Sequence, residues 1–499
     1  MDKCILCVNY DHKFLKIEMF GFFMSLLGWL GLSPVPLAAS LIGTTEPALK
    51  LLLSILIAYP LAILYHKHVR SFKEYRNIYF IVTGVDLAFY NFGLSMYHNA
   101  VPIVVMYGCT KMLGPGKFHA IVTFVFNMTY LLAGYAMTES EDYDITWTMP
   151  HCVLTLKMIA LSFDIWDGKK LLKGQELSST NKKTALTETP TFMELIGFVY
   201  FPACFLVGPI FSFRRYIDFI NDKYPLDKEA KTYEAYAVKR LIQGIAYLVA
   251  FQVGVSVFNM KYMQSDEFWE TSIFYRHFYC GLWAHFALYK YISCWLLTEA
   301  SSIRFGLSYN GTEKTEDGEI SKWDGCNNIR LMTFESATKF QHYIDSFNCN
   351  TNHFAAEYIY KRLKFLGNRN LSQFFTLLFL ALWHGTRSGY YMTFFNEFII
   401  IYMEKELEQI ISRTEIYHTL WKSHAKYLLY ILLKMYTIVF MGWSLAPFDL
   451  KVFSKWWNIY YSLYFSGFLL FLPWAFVYKP LVKNAVKKFC PPTDKSKVN

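Results

Sequence analysis

Long apolar segments that recur along the chain are the feature that most restricts how it can fold. Residues 371–386, for example, carry no formal charge except that of one histidine when it is protonated. The hydrocarbon core of a bilayer is about 30 Å thick, and about 20 helical residues are needed to cross it. Several segments are shorter than this, fused, or interrupted by proline or glycine, which is typical of tilted and re-entrant helices. We therefore predict an all-α polytopic membrane protein in which about 10–12 transmembrane or re-entrant helices form one bundle.

Composition and charge agree with a membrane protein. Of the 499 residues, 54% are hydrophobic and only 18% are charged, a balance that is unusual for a soluble domain. The formal net charge of +10 is distributed over the ends of apolar segments, as at residues 66–70 and 479–488. This distribution is typical of the positive-inside rule and of contact with anionic lipid headgroups. A nucleic-acid-binding surface would gather the basic residues into one stripe, so we expect no nucleic-acid partner.

The chain shows neither an internal repeat nor a second soluble domain, so we predict one polytopic domain over residues 1–490, with its catalytic region at about residues 340–400. Residues 491–499 are expected to form a disordered cytosolic tail. In that tail, the spacing of Lys495 and Lys497 resembles the dilysine signal that retrieves membrane proteins to the endoplasmic reticulum. We therefore expect a multi-pass protein of the endoplasmic reticulum membrane, although a basic tail at a membrane surface explains the two lysines equally well.

Polar residues inside apolar segments concentrate between residues 348 and 391, and one of them is His384. At about 1.5 Å per residue, His384 lies about 20 Å along a helix that begins near residue 371. An ionisable side chain at that depth in a bilayer is costly and is a candidate functional group. Packing in a protein core is the alternative, and the apolar segment alone does not decide between the two.

The residues around His384 add a family resemblance. The sequence WHGTRSGY resembles the signature of the membrane-bound O-acyltransferase family, with Trp383, His384, Gly385, Gly389 and Tyr390 at the family's spacing. Other segments are similar to the lysophospholipid acyltransferase branch of that family, among them YDITWTMPHCVLTLKMIALSFDIWDG, FLVGPIFSFRRY, KYISCWLLTE and KRLKFLGN. The resemblance is specific, because it combines an eight-residue signature with several separate segments of a polytopic chain.

The same resemblance identifies a second active-site residue, an asparagine that follows an aromatic residue upstream of the histidine. In this chain it is Asn348, which lies 36 residues before His384 and follows Phe347, where many relatives have tryptophan. The resemblance implies transfer of a fatty acyl group from acyl-coenzyme A to the free hydroxyl of a lysophospholipid. By the same resemblance we expect lysophosphatidylcholine as the first acceptor and polyunsaturated acyl groups as favoured donors.

The chemistry of these residues agrees with acyl transfer. An alcohol that attacks a thioester must lose its proton as the bond forms, and an imidazole with a pKa of about 6.5 in water is a suitable base. Burial favours the uncharged imidazole, and Arg387, expected one helical turn from His384, favours it too. Asn348 can hold the substrate hydroxyl or stabilise the oxyanion, although an asparagine that pairs with helix backbone is the alternative. We favour direct attack by the alcohol over a covalent acyl-histidine intermediate.

The sequence lacks acidic residues near His384 and lacks the cysteine spacing of a metal site or a disulfide framework. No acidic residue occurs between Glu357 and Glu397, so a carboxylate partner for His384 would have to come from elsewhere in the fold. The 10 cysteines are scattered without the spacing of a metal site or of a disulfide framework. We therefore expect no metal ion, and the resemblance implies that acyl-coenzyme A is a co-substrate and that no cofactor is needed.

Six further residues are candidates for substrate binding. Trp383, Tyr390 and Arg387 lie within or beside the signature and are expected to shape the substrate pocket. Lys361, Arg362 and Lys364 form a basic cluster that can contact the phosphates of coenzyme A. Positive-inside anchoring is the alternative for the basic cluster, and both roles can coexist.

Two other functions are compatible with parts of the sequence. A family member could use a sterol, diacylglycerol or a peptide as acceptor, but the tryptophan-rich motif of the sterol and diacylglycerol branch is absent around Asn348. A transporter or an inactive lipid-binding scaffold is the second alternative. A transporter is expected to carry duplicated halves with paired interrupted helices, and no such duplication occurs here. The sequence leaves a homo-oligomer open.

Overall fold

The computed structural model describes residues 34–138, 140, 145–226, 230–316 and 318–489. Helices dominate this part of the chain, as the sequence predicted, and a short two-stranded hairpin interrupts them. The predicted tail with Lys495 and Lys497 lies outside the described residues, so both expectations about it stay predictions.

Thirteen of the described helices precede the hairpin in the chain. They are α1 (Val35–Leu41), α2 (Glu46–Leu64), α3 (Lys73–Phe92), α4 (Tyr97–Leu113), α5 (Lys117–Thr138), α6 (Thr148–Leu172), α7 (Ser179–Thr184), α8 (Phe192–Val199), α9 (Phe213–Ile220), α10 (Ala230–Val257), α11 (Met260–Met263), α12 (Asp266–Glu270) and α13 (Ile273–Phe305). The hairpin pairs β1 (Thr312–Thr315) with β2 (Gly318–Ser321) in antiparallel register, with Thr312 opposite Ser321.

The remaining helices follow the hairpin. They are α14 (Leu331–Glu335), α15 (Phe340–Ser346), α16 (Cys349–Phe354), α17 (Arg369–His384), α18 (Ser388–Ile411), α19 (Glu415–Lys422), α20 (Ala425–Leu450), α21 (Phe453–Ser462), α22 (Ser466–Phe471) and α23 (Tyr478–Phe489). π-helical or 3₁₀ turns occur at Tyr65–Val69, Gly93–Met96, Ala355–Tyr360, Lys361–Leu366 and Leu472–Trp474.

Packing divides the described chain into two compact units. One contains the residues up to Ile245 together with Ser293–Asn328, and the other contains Ala246–Ile292 together with the residues from Ile329 onward. The long helices α10 and α13 therefore contribute residues to both units. The predicted catalytic region at residues 340–400 lies in the second unit, and the single domain over residues 1–490 stays a prediction.

Five helical segments of the described chain are long and apolar enough to cross a membrane. They are Glu46–Val69, Lys73–Leu113, Lys117–Thr138, Lys231–Met263 and Ala425–Leu450. These segments agree with the predicted polytopic class, and the count of about 10–12 spanning or re-entrant helices stays a prediction.

Helix α10 shows how such a segment meets lipid. Val238, Ile242, Ile245, Val249 and Val253 are exposed and recur every three or four residues, so they form one continuous apolar stripe. A stripe of this kind is costly in water and is favourable against hydrocarbon.

The first unit has an aromatic core. The contacting rings of Tyr65, Phe80, Phe201 and Phe305 lie 4.8–5.9 Å apart, centroid to centroid, and all four side chains are buried. Helix α3 can approach this core closely because Gly84 has no side chain, and a Cβ there would lie 1.8 Å from the carbonyl oxygen of Tyr200. Aromatic pairs at these distances add to the free energy of burial, so the core holds α3, α13 and the turn that follows α2 together.

The second unit has a tryptophan-rich core at the end of α20. Trp443 stacks on Tyr460 of α21 at 5.2 Å, and Phe468 of α22 meets the same indole edge-on at 5.1 Å. Trp456 packs against Tyr460 at 5.5 Å, and both are fully buried. The core fixes the last turns of α20, and those turns form one wall of the candidate site.

Candidate active site

Helix α17 ends at His384 because the next residue is a glycine in a conformation that other residues rarely adopt. Gly385 has φ 142°, and its N–H donates to the carbonyl oxygens of Ala381 and Leu382. Helix α18 begins only at Ser388. The apolar segment 371–401 is therefore two helices with a break directly after the histidine.

The helix break overturns one expectation about Arg387. This residue precedes α18 in an extended conformation, with φ −69° and ψ 139°, and does not lie on the helix that carries His384. The prediction that Arg387 lies one helical turn from His384 is therefore wrong. The physical reason is Gly385, because the backbone leaves the helical path before it reaches Arg387.

Aromatic rings surround the imidazole of His384. Phe448 of α20 meets it edge-on with ring centroids 4.9 Å apart, and Phe394 of α18 stacks on it at 5.4 Å. The neighbouring Trp383, which is buried, and Tyr390 lie 4.6 and 5.8 Å away. The imidazole itself is only partly buried, so this packing orients the ring and still leaves it accessible. Among the described residues, no carboxylate forms an ion pair with it.

A close backbone contact brings Phe448 to the histidine. The N–H of Gly389 donates to the carbonyl oxygen of Lys451 at 3.0 Å, and a Cβ on residue 389 would lie 1.9 Å from the carbonyl oxygen of Pro447. The hydroxyl of Ser388 donates to the same Lys451 oxygen at 3.3 Å. The first turn of α18 can therefore touch the last turn of α20 only because residue 389 is a glycine.

Phe448 and Phe394 could not be recognised as neighbours of His384 from the sequence. Phe448 lies 64 residues after His384 in the chain, and Phe394 lies on the far side of the helix break, so no local pattern links either to the histidine. Gly389 is a sequence feature that could have indicated this contact, because a glycine at the first turn of an apolar helix often marks a close approach of another backbone segment. The sequence alone does not say which element makes that approach.

Asn348 lies between two short helices in a left-handed conformation. Its φ is 51° and its ψ is 45°, values that asparagine tolerates better than most residues. Its carbonyl oxygen accepts the first helical hydrogen bond of α16, from the N–H of Asn352 at 3.0 Å. The side-chain amide of Asn352 donates to the carbonyl oxygens of Ile344 and Phe347, at 2.8 and 2.9 Å. The turn that carries Asn348 is thus held from both sides.

The segment from α16 through the turns at residues 355–366 folds back on α17 as a helical hairpin. At one level, the ring of Phe354 stacks on that of Phe379 with centroids 6.1 Å apart. At another, the hydroxyl of Ser372 donates to the carbonyl oxygen of Leu363 at 3.2 Å. Because the contact partners run in opposite chain directions, the two arms of the hairpin are antiparallel.

This register places Asn348 and His384 at the same end of the hairpin. Along the hairpin axis, Asn348 lies about 9 Å from Phe354, and His384 lies about 8 Å from Phe379 in the same direction. The two residues that the family resemblance identified are therefore level with each other along the hairpin axis. The register thus places them at one end of the hairpin although 36 residues separate them in the chain.

The basic cluster lies at the opposite end of the same hairpin. Lys361, Arg362 and Lys364 are in the 3₁₀ turn at the level of Ser372, which is about 18 Å along α17 from His384. The ammonium of Lys361 forms an ion pair with the carboxylate of Glu357, whereas Lys364 is exposed. The structure thus separates the basic cluster from the histidine, and its contact with coenzyme A stays a prediction.

A comparison with protein families decides the affiliation of the chain. The model of the family described as MBOAT, membrane-bound O-acyltransferase family, matches residues 132–446, which include the whole hairpin with Asn348 and His384. The chain belongs to this family. It is therefore an acyltransferase embedded in a membrane, and this membership favours the enzyme over the transporter and the inactive scaffold.

Comparison with curated relatives indicates which branch of the family the chain resembles. The chain is 42% identical to lysophospholipid acyltransferase 5 of Drosophila melanogaster over 447 residues, which are 88% of each chain. It is 39% identical to lysophospholipid acyltransferase 5 of Homo sapiens, with 92% of this chain and 94% of the relative covered. The relative of the same name from Mus musculus is 38% identical with the same coverage. The predicted resemblance to the lysophospholipid acyltransferase branch is confirmed.

We expect Gly389→Ala to lower acyltransferase turnover about 10- to 100-fold, because the new Cβ pushes the end of α20, and Phe448 with it, away from His384. Turnover and melting temperature are measured on protein reconstituted in lipid nanodiscs. Ser388→Ala is the matched control, since it removes the hydroxyl contacts with Lys451 and with the indole N–H of Trp456 but adds no volume, and it should keep most of the turnover. Wild-type turnover in Gly389→Ala would show that the close approach does not align the site.

Proposed function

We propose that this membrane-bound acyltransferase is a lysophospholipid O-acyltransferase that uses acyl-coenzyme A as donor and lysophosphatidylcholine and related lysophospholipids as acceptors. The observation that supports this most is the hairpin register, which places Asn348 and His384 at one end of an apolar helix pair. The printed names of the relatives support the acceptor class. The proposed setting is the endoplasmic reticulum membrane.

In the proposed reaction, His384 acts as the general base. Its imidazole takes the proton of the lysophospholipid hydroxyl while the hydroxyl oxygen attacks the thioester carbonyl. The tetrahedral intermediate then collapses, the carbon–sulfur bond breaks, and the imidazolium returns the proton to the coenzyme A thiolate. The aromatic surroundings suit this role, since they add no negative charge and therefore favour the uncharged imidazole before the attack.

Asn348 supplies neutral hydrogen-bonding groups beside the base. Its side-chain amide can donate to the oxyanion of the tetrahedral intermediate, and its carbonyl oxygen can accept from the attacking hydroxyl. The left-handed turn fixes the direction in which this side chain leaves the backbone. A neutral amide suits an apolar site because it needs no counter-ion there.

The other parts of the proposal concern the donor. The basic cluster Lys361, Arg362 and Lys364 would bind the phosphates of coenzyme A at the far end of the hairpin. The pantetheine arm of coenzyme A would then extend along the hairpin and carry the thioester toward His384. Trp383, Tyr390 and Arg387 would line the pocket, and the reaction needs no metal ion and no cofactor.

The acceptor class is tested on purified protein in lipid nanodiscs that receives labelled acyl-coenzyme A and one acceptor at a time. We expect labelled diacyl product with lysophosphatidylcholine, and with lysophosphatidylethanolamine and lysophosphatidylserine as weaker acceptors. Among the donors, polyunsaturated acyl-coenzyme A is expected to be used fastest. Labelled sterol ester or triacylglycerol as the main product would refute the proposed acceptor class.

His384→Ala is expected to abolish lysophosphatidylcholine acylation, because it removes the proposed general base. Asn348→Ala should lower kcat about 10²- to 10³-fold, the effect of losing one oxyanion donor. Both are measured as initial rates at equal amounts of folded protein. His353→Ala and Asn370→Ala are matched controls on exposed positions of the same hairpin and should keep wild-type rates. Full activity in His384→Ala would remove the proposed mechanism.

Replacing Lys361, Arg362 and Lys364 by glutamine in one variant should raise the KM for acyl-coenzyme A about three- to tenfold, since each partly exposed charge contributes a small binding energy. The KM for lysophosphatidylcholine should stay the same. The matched control replaces Lys483, Lys487 and Lys488 of α23, which are exposed and lie outside the hairpin. An unaltered KM for the donor in the first variant would assign the cluster to membrane topology alone.

A further inference from the structure

The turn that carries Asn348 is the end of a closed loop. Ile329 and Phe347 form an antiparallel bridge, and the N–H of Arg330 donates to the carbonyl oxygen of Ser346 at 2.8 Å. The loop between these contacts contains α14 and α15 and returns to its own start one residue before Asn348. The position of the loop therefore sets the position of the asparagine.

A buried aromatic side chain joins the loop to the neighbouring helix. Phe334 is completely buried, and its ring stacks on Phe347 with centroids 5.8 Å apart. On its other side it stacks on the ring of His285 of α13 at 5.7 Å. Tyr343 of α15 meets Phe334 edge-on at 5.3 Å. Phe334 thus forms one layer between α13 and the residue that precedes Asn348.

The residue after Phe334 ties the loop to three helices by polar contacts. The carboxylate of Glu335 accepts hydrogen bonds from the hydroxyls of Tyr247 of α10 and Tyr289 of α13, at 2.8 and 3.0 Å. Its second oxygen lies 3.4 Å from Nε2 of His285. The ammonium of Lys434 of α20 donates to the backbone oxygen of Glu335 at 2.6 Å. Hydrogen bonds to an ionised group are strong and directional, so these contacts fix the loop more tightly than apolar packing does.

We propose that Glu335 is a positioning residue for Asn348. Its carboxylate holds α14 against α10 and α13. The stack of Phe334 on Phe347 then fixes the residue before Asn348, and the left-handed turn sets the direction of the asparagine side chain. The proposal rests on the proposed function, in which Asn348 takes part in acyl transfer. In this proposal the carboxylate of Glu335 serves the asparagine and not the histidine.

A positioning role differs from a binding role and from a stabilising role in what it changes. Displacing a catalytic amide by about 1 Å can cost up to about 100-fold in rate while substrate binding stays intact. Loss of an ordinary buried anchor lowers stability instead and leaves the turnover of the folded fraction unchanged. Kinetics at equal amounts of folded protein therefore separates the two.

The test compares Glu335→Ala with Glu406→Ala in the full-length protein in lipid nanodiscs. Glu406 is a carboxylate of the same unit that is also anchored by side chains, Trp474 at 2.9 Å and Lys479 at 2.6 Å. It lies in α18, in the half of the helix that is far from the break after His384. We expect Glu335→Ala to lower kcat about 10- to 100-fold with both KM values within about twofold. Glu406→Ala should keep kcat, and the two variants should lose similar amounts of thermal stability.

A milder variant covers the case in which Glu335→Ala does not fold. Tyr247→Phe combined with Tyr289→Phe removes two donors to the carboxylate and keeps the rings, and it should lower kcat by a smaller factor with the same KM values. In an Asn348→Ala background with measurable turnover, neither change should lower kcat further, because the group they position is gone.

Each outcome decides one claim. A rise in the KM for lysophosphatidylcholine at unchanged kcat would make Glu335 a substrate contact and overturn the positioning role. Equal kcat in Glu335→Ala and Glu406→Ala, or an additive loss in the Asn348→Ala background, would overturn it as well. If the wild-type protein acylates no lysophospholipid, the proposed function fails first, and the inference about Glu335 fails with it.

Discussion

The candidate active site depends on a backbone contact between the first turn of α18 and the last turn of α20. The hydrogen bond from Gly389 to Lys451 and the approach of Pro447 to the bare glycine Cα bring Phe448 against His384. Helix α20 is fixed in turn by the stack of Trp443 on Tyr460. A side chain at a helix break would otherwise be mobile, and this contact gives His384 the rigidity of the tryptophan-rich core.

Two polar residues are held in an apolar bundle by two different means. His384 is oriented by the rings of Phe394 and Phe448, which impose an angle on the imidazole without adding charge. Asn348 is oriented by its own left-handed backbone and by the loop that Glu335 anchors. Among the described residues no carboxylate forms an ion pair with His384, and this avoids a strong bias toward the imidazolium, which could not accept a proton in the proposed reaction.

Much of the class and part of the site follow from the sequence. Apolar segments predicted a polytopic helical protein, and the family signature identified His384 and Asn348 before any contact was known. The prediction that Arg387 lies one helical turn from His384 is wrong because the helix does not continue through Gly385. Phe448 and Glu335 were not found, since each acts on a residue that is distant in the chain and carries no local pattern that marks the contact.

By itself the sequence determined what depends on neighbouring residues: the apolar character of the helices, the glycine that ends α17, and the motif that links the chain to its family. Only the tertiary structure decided that Asn348 and His384 lie at one end of the hairpin while Lys361 and Lys364 lie at the other. The reason is that helix propensity and hydropathy are summed over a few adjacent residues. The register of two packed arms depends instead on which distant side chains fit together, as Phe354 fits Phe379.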